Sequence, residues 1–592
     1  MCGIVSYIGG KNAADVLLEG LKSLEYRGYD SAGIAVMKDD GIFVLKEKGR
    51  LSNLAAMAEK TGVYSNAGIG HTRWATHGAP SVQNAHPHLN GAGDIAVVHN
   101  GIIENYEALK KELMQLGYEF VSETDSEVIP QLIDYYYDGN LKNAVAKCIS
   151  RLRGSFALCV LSAREPHSIV AARRKSPLVI GVSENENFVA SDIPAVLSYT
   201  GDFLLPDDDE IAVLKADSVK IFGKDGRGIS KKTYRANYTA ESADKGDYPH
   251  FMLKEIYEQP FALSETLSED TAKCAGFFKG LKKVYIAACG TAYHAALMMK
   301  KVFEELAFLP AEVDLASEFR SRTPIFTNET GVIVITQSGE TADTLAVLRM
   351  AKRKGVKTLA VTNVFKSSAA READFVFYTH AGPEIAVAST KAYTSQLLAG
   401  IMLSIEAQKS SGDKMSALCA ETAEKIKSLP SFVSEALKSE EKIKSLAEKI
   451  KGEDDVYFLG RGADYVTALE ASLKLKEISY IHADAYAGGE IKHGPIALID
   501  KNTPVISIMT DEKLFEKSKS NMREVAARGA YTAVVGIGED GADFVLPLQK
   551  LPPILAPVAA IIPLQLLAYH VALLRGCDVD KPRNLAKSVT VE

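Results

Sequence analysis

The most constraining feature of the sequence is an internal repeat in its second half. The segment VYIAACGTAYHAAL, which begins at Val284, aligns without a gap with VYFLGRGADYVTAL, which begins at Val456. At the same offset, GVIVITQSGETADT from Gly331 aligns with TPVISIMTDEKLFE from Thr503. The pattern of apolar strand, turn and helix recurs, which is typical of a parallel sheet with covering helices. The repeat therefore predicts two α/β doubly wound domains of similar fold.

The two copies differ in the turn that follows the second strand of each. In the first copy this turn offers hydroxyl and amide side chains around a glycine, namely Thr336, Gln337, Ser338, Gly339 and Thr341. Such groups, together with the N–H groups of the following helix, form a phosphate cradle at the carboxyl end of a strand. The second copy has Asp511 and Glu512 there, and their carboxylates would repel a phosphate. We therefore predict that only the first copy binds phosphate.

An ordinary helix-capping turn is the alternative for TQSGET, and the motif alone does not decide between the two. The repeat favours the cradle, and so does the segment EIAVASTKAYTSQ further on, with Glu384 and Ser389. The G-x-x-x-x-G-K pattern of a Walker loop is absent, so the sequence does not indicate a nucleoside triphosphate.

Bulk properties exclude several classes of protein. A net charge of -7, with both signs spread along the chain, provides no basic surface for nucleic acid. Seven cysteines without a C-x-x-C pair indicate neither a disulfide framework nor a zinc ribbon. The N-terminus lacks a signal-peptide pattern, and the apolar stretch 551–574 is interrupted by prolines, Gln565 and His570, which favours a buried helix over a membrane span. We expect a cytoplasmic protein that binds neither membranes nor nucleic acid.

Cys2 stands directly behind an initiator methionine that is expected to be removed. The mature chain would then begin with a thiol and a free α-amine on one residue. That amine has an ordinary pKa of about 7.7–8.0, so it can take the thiol's proton directly or through a water. A small, inert, buried cysteine is the alternative, and position alone favours it.

Four short stretches supply polar and aromatic side chains that favour a nucleophilic Cys2 over an inert one. They are, in chain order, Arg27, Tyr29 and Asp30 from LEYRGYDSAG; Arg73, Trp74, Thr76 and His77 from HTRWATHG; Asn100 and Gly101, at the end of an apolar strand, from VVHNGIIEN; and Asp125, just before a helix, from SETDSEVI. Singly, each has a simpler interpretation, such as a surface ion pair, a hairpin turn or a helix N-cap.

In this order behind Cys2, the four stretches resemble the N-terminal-nucleophile glutamine amidotransferase domain, which has an α+β four-layer fold. The resemblance implies that Cys2 attacks the side-chain amide of glutamine. Asn100 and the backbone N–H of Gly101 would stabilise the resulting oxyanion. Arg73 would hold the α-carboxylate of glutamine and Asp125 its α-ammonium group. Further glutamine-binding residues implied by the resemblance are Trp74, Thr76 and His77.

The histidines between His71 and His99 suggest a metal site, because NAHPHLN has an H-x-H spacing. No acidic or thiol partner lies nearby at ligand spacing, and the amidotransferase resemblance needs no metal. We therefore expect neither a metal nor another cofactor.

The second half resembles tandem sugar isomerase domains, and the whole chain is similar to the glutamine–fructose-6-phosphate aminotransferase family. The best local matches are ALEASLKLKEISYIHADAYAGGEIKHGPIALI and the tail KPRNLAKSVTVE. The resemblance implies that ammonia from L-glutamine is transferred to fructose 6-phosphate and that the product is isomerised to glucosamine 6-phosphate. It also implies an internal ammonia channel with Trp74 as its gate, and a homodimer. In this family, the formation of glucosamine 6-phosphate is the first step of the amino-sugar pathway to UDP-N-acetylglucosamine.

Residue roles in the sugar site follow from the same resemblance. Lys587 would form a Schiff base with the C2 ketone, His493 would assist ring opening, and Glu477 would move a proton between C1 and C2. Lys474 would act as an electrostatic partner, and Thr291 would bind the sugar phosphate with the cradle. Glu470, Lys474 and Glu477 lie at i, i+4 and i+7 and so share a helix face, for which solvent-exposed ion pairs are the alternative.

The expected domains follow from these matches. We place a glutamine amidotransferase domain at 1–235 and a linker at 236–250. The first sugar isomerase domain, which is the phosphate-binding copy, follows at 251–430 and the second at 431–576. A tail at 577–592 would complete the sugar site.

Two other classes of protein fit part of the pattern. One is an amidotransferase that acts on phosphoribosyl pyrophosphate, but the acidic phosphoribosyl loop after a buried strand is absent. The other is a sugar-phosphate-binding regulator without catalysis, which would have no need of Cys2, Glu477, His493 and Lys587.

Overall fold

A computed structural model describes residues 2–25, 28–39, 41–75, 77–236, 244–412, 414–538 and 541–590. The chain divides into two units, one of Met1–Asp244 with Ala586–Glu592 and one of Lys245–Leu585. Arg27, Thr76 and residues 237–243 of the expected linker at 236–250 lie outside the described residues.

The first unit is built mainly of β-strands, with five α-helices among its described residues. The strands are β1 (Gly3–Ile8), β2 (Ser31–Lys38), β3 (Gly41–Lys48), β4 (Ala67–Arg73), β5 (His88–Leu89), β6 (Ile95–Ile103), β7 (Gly154–Ser162), β8 (Ile169–Arg174), β9 (Val179–Val182), β10 (Asn187–Ala190), β11 (Asp202–Leu204), β12 (Ile211–Lys215), β13 (Ser218–Phe222), β14 (Gly228–Ile229) and β15 (Tyr234–Arg235). The helices are α1 (Ala13–Ser23), α2 (Leu51–Thr61), α3 (Tyr106–Gln115), α4 (Val128–Tyr136) and α5 (Leu141–Arg151).

Two antiparallel sheets stack face to face in this unit. One has the order β15-β11-β9-β10-β1-β4-β2-β3 and the other β14-β13-β12-β8-β7-β6-β5. Alternate strand residues such as Ile4, Ile69, Val98 and Cys159 pack between the sheets. Helix α1 covers the outer face of the first sheet, and α4 and α5 cover that of the second. The four-layer α+β fold is confirmed.

The second unit contains ten strands and fourteen α-helices among its described residues. The strands are β16 (Lys283–Ala288), β17 (Ala311–Leu315), β18 (Thr330–Thr336), β19 (Lys357–Thr362), β20 (Phe375–Tyr378), β21 (Asp455–Gly460), β22 (His482–Ala487), β23 (Pro504–Met509), β24 (Tyr531–Gly536) and β25 (Phe544–Pro547). The helices are α6 (Phe251–Tyr257), α7 (Gln259–Leu267), α8 (Ala275–Phe278), α9 (Thr291–Leu306), α10 (Ala316–Ser321), α11 (Ala342–Arg353), α12 (Ser368–Glu372), α13 (Lys391–Ser410), α14 (Ala417–Lys425), α15 (Leu429–Leu437), α16 (Glu440–Ile450), α17 (Ala463–Ser479), α18 (Phe515–Ala526) and α19 (Ala556–Leu574).

These strands form two parallel sheets of identical order, β17-β16-β18-β19-β20 and β22-β21-β23-β24-β25. The repeat seen in the sequence is therefore a repeat of fold, and the two doubly wound domains are confirmed. Helix α9 of the first sheet packs against α17 of the second, and α17 packs against α19. The first residues of α9 follow β16 directly, so they lie at the carboxyl end of their sheet, where ligands bind in such folds.

Helix α19 is the one described helix long and apolar enough to cross a membrane by length and composition. It is mostly buried inside the unit, and it carries Pro563. Buried side chains such as Ile561, Leu567 and Tyr569 join it to the core that α13, α16 and α17 also share. The expectation of a buried helix at 551–574 agrees with this packing.

Candidate functional site

Cys2 lies at the entry to β1 and is partly buried. Because β1 pairs with β4 at Gly3 and Thr72, the thiol is brought next to Trp74. The amide N–H of Trp74 points at Sγ of Cys2 over 3.2 Å. Burial raises the pKa of the thiol, because a thiolate there loses solvation, although the N–H of Trp74 and the charge of Arg73 oppose that shift.

Asn100 and Gly101 lie inside β6, not at its end as the sequence suggested, since the strand continues to Ile103. Nδ2 of Asn100 donates to the backbone carbonyl of Cys2 over 2.9 Å, which places the amide beside the nucleophile. Gly101 has φ +128°, and a Cβ there would lie 2.1 Å from the carbonyl oxygen of Ser155. This close approach accounts for the glycine.

Arg73 is 3% exposed and ends β4. Its Nη2 donates to the carbonyl oxygens of His77 and Gly78, the second over 2.9 Å. Nη1 is buried and has no hydrogen-bond partner among the described residues. Burial lowers the pKa of the guanidinium but leaves a side chain that carries charge at neutral pH, so Nη1 can receive an anionic group.

Asp125 begins a 3-10 turn ahead of α4 and is buried. Oδ2 accepts from the backbone N–H of Ile103 over 2.7 Å, and Oδ1 accepts from Oγ of Ser126 over 3.4 Å. The carboxylate is therefore held next to β6, the strand that carries Asn100, and its more weakly engaged Oδ1 can accept from an ammonium group.

The remaining aromatic and polar residues of this group line the segment after β4. The ring of Trp74 meets that of Tyr29 edge-on at 5.6 Å. Asp30 accepts from the N–H of Ala75 over 2.9 Å, which holds the chain after Trp74. His77 meets the ring of Tyr106 at 5.5 Å.

In the second unit, α17 and α9 bring together a buried charged cluster. Glu470 is 0% and Lys474 1% exposed, so the helix face predicted from the spacing is confirmed, but it is not a solvent-exposed row of ion pairs. Nζ of Lys474 lies 2.5 Å from Oε2 of Glu477, 3.5 Å from Oε1 of Glu470 and 3.0 Å from Oγ1 of Thr291. Burial alone would lower the pKa of Lys474, but the carboxylates of Glu477 and Glu470 outweigh the effect of burial, and the pKa lies above its ordinary value.

Glu470 is held by donors from α9. Oγ1 of Thr291 donates to Oε1 over 3.0 Å, and Nδ1 of His294 lies 2.7 Å from Oε2. Thr291 thus links Glu470 to Lys474, while Glu477, with a side chain 21% exposed, opens to the solvent side of the cluster. The arrangement presents one carboxylate that can move a proton and one fixed cation beside it.

The predicted phosphate cradle forms a curled turn at the carboxyl end of β18, the neighbour of β16. Oγ1 of Thr336 lies 3.0 Å from Oγ1 of Thr341 and accepts from the N–H of Gly339 over 3.2 Å. Gly339 has φ +70°, and a Cβ there would lie 1.9 Å from Oγ of Ser367. Thr341 precedes α11, and its side chain makes no cap hydrogen bond within the described chain. The side chain of Thr341 therefore does not occupy the first N–H groups of α11, which face the turn.

Glu384 and Ser389 lie before α13. Glu384 accepts from Oγ of Ser389 over 2.7 Å and from the N–H groups of Thr390 and Ala392. Glu384 is buried and caps the start of α13. The backbone carbonyl oxygen of Gln337 accepts a hydrogen bond from the backbone N–H of Asn363 over 3.1 Å.

Comparisons with known proteins identify the two halves. A family model described as a glutamine amidotransferase domain matches residues 71–198, and one described as a SIS domain matches residues 278–405 and again 449–575. Glutamine–fructose-6-phosphate aminotransferase (isomerizing) of Clostridium tetani is 51% identical over 610 residues, and the alignment covers 100% of each chain.

The chain belongs to the glutamine–fructose-6-phosphate aminotransferase family. The family member of Thermus thermophilus is 48% identical over 612 residues, again with 100% of each chain covered. Among solved structures, the C-terminal domain of glucosamine-fructose-6-phosphate aminotransferase from Francisella tularensis is 41% identical, with a TM-score of 0.55. It covers 57% of this chain and 99% of its own.

Two further residues predicted from the family resemblance belong to other segments of the chain. His493 ends a short 3-10 turn, Glu490–His493, and is exposed. Lys587 groups with the first unit, as part of Ala586–Glu592.

In the second sugar isomerase copy, a buried carboxylate lies against the turn that corresponds to the predicted cradle. Asp464, at the start of α17, accepts from both the N–H and the hydroxyl of Thr510, the residue that begins the corresponding turn. The first copy has Ala292 at the position equivalent to Asp464. A buried carboxylate of the chain itself thus takes the donors of this turn, and burial raises its pKa.

Sequence reasoning missed two residues that contact these elements, His294 and Asp464. His294 lies one turn after Thr291 and could have been found from that spacing alone, although its partner Glu470 is 176 residues away. Asp464 could have been found from the alignment of the two copies. No group of three His, Cys, Asp or Glu side chains in the described part of the chain is arranged to hold a metal ion.

Proposed function

We propose that the protein transfers the side-chain amide nitrogen of L-glutamine to fructose 6-phosphate and isomerises the product to glucosamine 6-phosphate, with L-glutamate as the second product. The observation that carries the proposal is the buried Lys474 cation between Glu470 and Glu477, on a chain that also holds Cys2 beside Asn100. The first arrangement suits an aldose–ketose proton shift, and the second suits attack on an amide.

In the glutaminase half, removal of Met1 leaves the α-amine of Cys2 as the base that takes the thiol proton. The thiolate attacks the amide carbon of glutamine, and the carbonyl oxygen becomes an oxyanion. Nδ2 of Asn100 and the N–H of Gly101 donate to that oxyanion. The α-ammonium group of Cys2 then gives its proton to the amide nitrogen, so that collapse releases ammonia and leaves a thioester, which water hydrolyses to glutamate and free Cys2.

Binding of glutamine in this half uses the two charged groups on its α-carbon. Nη1 of Arg73, which lacks a partner in the described chain, would take the α-carboxylate. Oδ1 of Asp125 would take the α-ammonium group. The roles of Trp74, Thr76 and His77 as further glutamine contacts rest on the family resemblance.

In the isomerase half, the cradle residues Thr336, Gln337, Ser338 and Thr341 would bind the phosphate, with Thr291, Glu384 and Ser389 completing the sugar site. Lys587 would condense with the C2 ketone and His493 would assist ring opening. After ammonia replaces the lysine, Glu477 would take a proton from C1 and return it at C2. The Lys474 cation lowers the energy of the enolamine formed between the two steps.

We further propose a cytoplasmic homodimer. This assembly rests on the family resemblance. Light scattering coupled to size-exclusion chromatography tests the assembly, and a monomer at micromolar concentration would contradict it.

Separating the two half-reactions tests the function. Cys2→Ala should abolish glutamate formation, and Glu477→Gln should abolish glucosamine 6-phosphate formation while glutamate is still released. Both products are quantified by mass spectrometry with glutamine and fructose 6-phosphate present. Glutamate formation that persists in Cys2→Ala would overturn the role of Cys2.

A further inference from the structure

His71 lies in β4 with a ring that is 0% exposed. Its Nε2 is 3.0 Å from the backbone carbonyl oxygen of His99 and 3.0 Å from Oδ1 of Asn100. His71 belongs to the eight-stranded sheet, which also carries Cys2 at the entry to β1, whereas Asn100 belongs to the seven-stranded sheet. The contact therefore joins the sheet of the nucleophile to the sheet of the oxyanion donor.

The carbonyl of His99 fixes the tautomer of His71. A backbone carbonyl oxygen can only accept, so the proton of the neutral ring must be on Nε2. An Nε2–H has no lone pair for a second donor, so the Asn100 atom beside it must be the amide oxygen. The ring thus favours one of the two orientations of the Asn100 amide, the one with Oδ1 turned to His71.

The other side of the Asn100 amide points to the nucleophile. With Oδ1 turned to His71, Nδ2 donates to the carbonyl oxygen of Cys2 over 2.9 Å. An amide nitrogen carries two protons, so one remains for a ligand. A flipped amide would place its oxygen at that position and repel an oxyanion.

Neighbouring histidines hold the ring of His71 in place. The ring of His86 stacks on it at 4.1 Å with an interplanar angle of 19°, and Nδ1 of His86 accepts from the N–H of His99 over 3.2 Å. Burial lowers the pKa of His71 to about 3 and the pKa of His86 well below its ordinary value. Both rings are therefore neutral at working pH, and their positions do not depend on protonation.

We propose that His71 is a positioning residue of the glutaminase reaction, which orients the Asn100 amide so that an N–H group faces the oxyanion formed at Cys2. The inference rests on the proposed glutaminase function. It predicts that loss of the His71 donor lowers transition-state stabilisation without changing substrate affinity, because the oxyanion exists only after attack.

Two isopolar variants separate positioning from packing. In His71→Gln, the amide nitrogen lies at the same number of bonds from the backbone as Nε2 and can still donate to Asn100. In His71→Asn the side chain is one atom shorter and cannot reach. His88→Phe is the matched control, since His88 is buried in the same cluster but contacts Oγ1 of Thr124 and not Asn100.

Glutaminase kinetics with glutamine as the only substrate give the decisive readout. We expect kcat of His71→Asn to fall by about tenfold to a hundredfold with KM unchanged, a share of the loss seen when an oxyanion donor is removed. His71→Gln should recover most of that loss, and His88→Phe should keep the original kcat. Alkylation of Cys2 by iodoacetamide develops no oxyanion, so its rate should be the same in all variants.

Equal kcat values for His71→Asn and His71→Gln would overturn the proposal. If the first unit failed to fold in both His71 variants but folded in His88→Phe, His71 would be a structural residue, and this result would also overturn the proposal. An unmodified protein that releases no glutamate would instead contradict the proposed function itself, so the two failures are distinguishable.

Discussion

Nζ of Lys474 lies 2.5 Å from Oε2 of Glu477, one helical turn away on α17. The lysine is 1% exposed, and the glutamate is at the open edge of the cluster. The carboxylate can accept a proton from a substrate, and the fixed cation beside it can stabilise the charge that develops on that substrate. The pair therefore serves both halves of a proton shift.

Removal of the Lys474 charge should destabilise the second unit. Lys474→Met leaves Glu470 as a fully buried carboxylate without its cation, which costs about 3–5 kcal/mol in comparable cases. Lys476→Met, on the exposed side of the same helix, should cost about 0.5 kcal/mol or less. Calorimetry of the intact chain measures the difference. A double variant, Lys474→Met with Glu470→Gln, should recover part of the lost stability, and equal unfolding temperatures for the two lysine variants would contradict the account.

His294 should affect the sugar reaction and not glutamine hydrolysis. Nδ1 of His294 lies 2.7 Å from Glu470, so His294→Phe removes one of the donors that fix this carboxylate beside Lys474. We expect a lower kcat for glucosamine 6-phosphate formation, with glutamate release from glutamine alone unchanged. His294→Asn, which keeps a donor near the position of Nδ1, should retain more activity than His294→Phe. The reverse order of the two variants would show that Glu470 does not depend on this donor.

Arg73 should determine recognition of the glutamine α-carboxylate. In Arg73→Lys the charge is kept but the fork geometry is lost, so KM for glutamine should rise by about tenfold to a hundredfold, as expected for a hydrogen bond to a charged group. The analogue 4-aminobutanamide, which lacks the α-carboxylate, should be used equally poorly by both forms. If Arg73→Lys raised KM equally for the analogue, Arg73 would act on the fold of the site and not on the carboxylate.

The sequence predicted elements whose partners are close along the chain. Both sugar isomerase folds followed from the repeat, and the i, i+4, i+7 spacing placed Glu470, Lys474 and Glu477 on one face. The burial of that face could not be predicted, because it depends on α9, whose residues are far away in sequence. For the same reason His71 remained an unassigned histidine: its contact with Asn100 exists only once two sheets have stacked.

Acid should destabilise the first unit through its buried histidines. An unfolded histidine titrates near pH 6.5, whereas burial lowers the pKa of His71 to about 3. Between these values the unfolded chain binds a proton that the folded chain does not, so stability is complete above pH 6.5 and falls as the pH is lowered. His71→Gln should reduce this slope by one proton, about 1.4 kcal/mol per pH unit. Urea unfolding of the first unit, followed at pH 5, 6 and 7, measures the slope, and parallel curves for the two proteins would contradict the assignment.

The two equivalent turns of the isomerase repeat should respond differently to loss of a hydroxyl. Ser338→Ala removes a group of the cradle and should raise KM for fructose 6-phosphate. Thr510→Ala removes a donor from the buried Asp464 and should lower the unfolding temperature with KM unchanged. Titration of fructose 6-phosphate and calorimetry of both variants separate these effects. A raised KM in Thr510→Ala alone would place the phosphate in the second copy.

The most direct test of the whole account follows one nitrogen atom. Glutamine labelled with nitrogen-15 at its side-chain amide is supplied with fructose 6-phosphate, and the sugar product is weighed by mass spectrometry. We expect labelled glucosamine 6-phosphate and glutamate in equal amounts. Glutamate and free labelled ammonia without any amino sugar would contradict it.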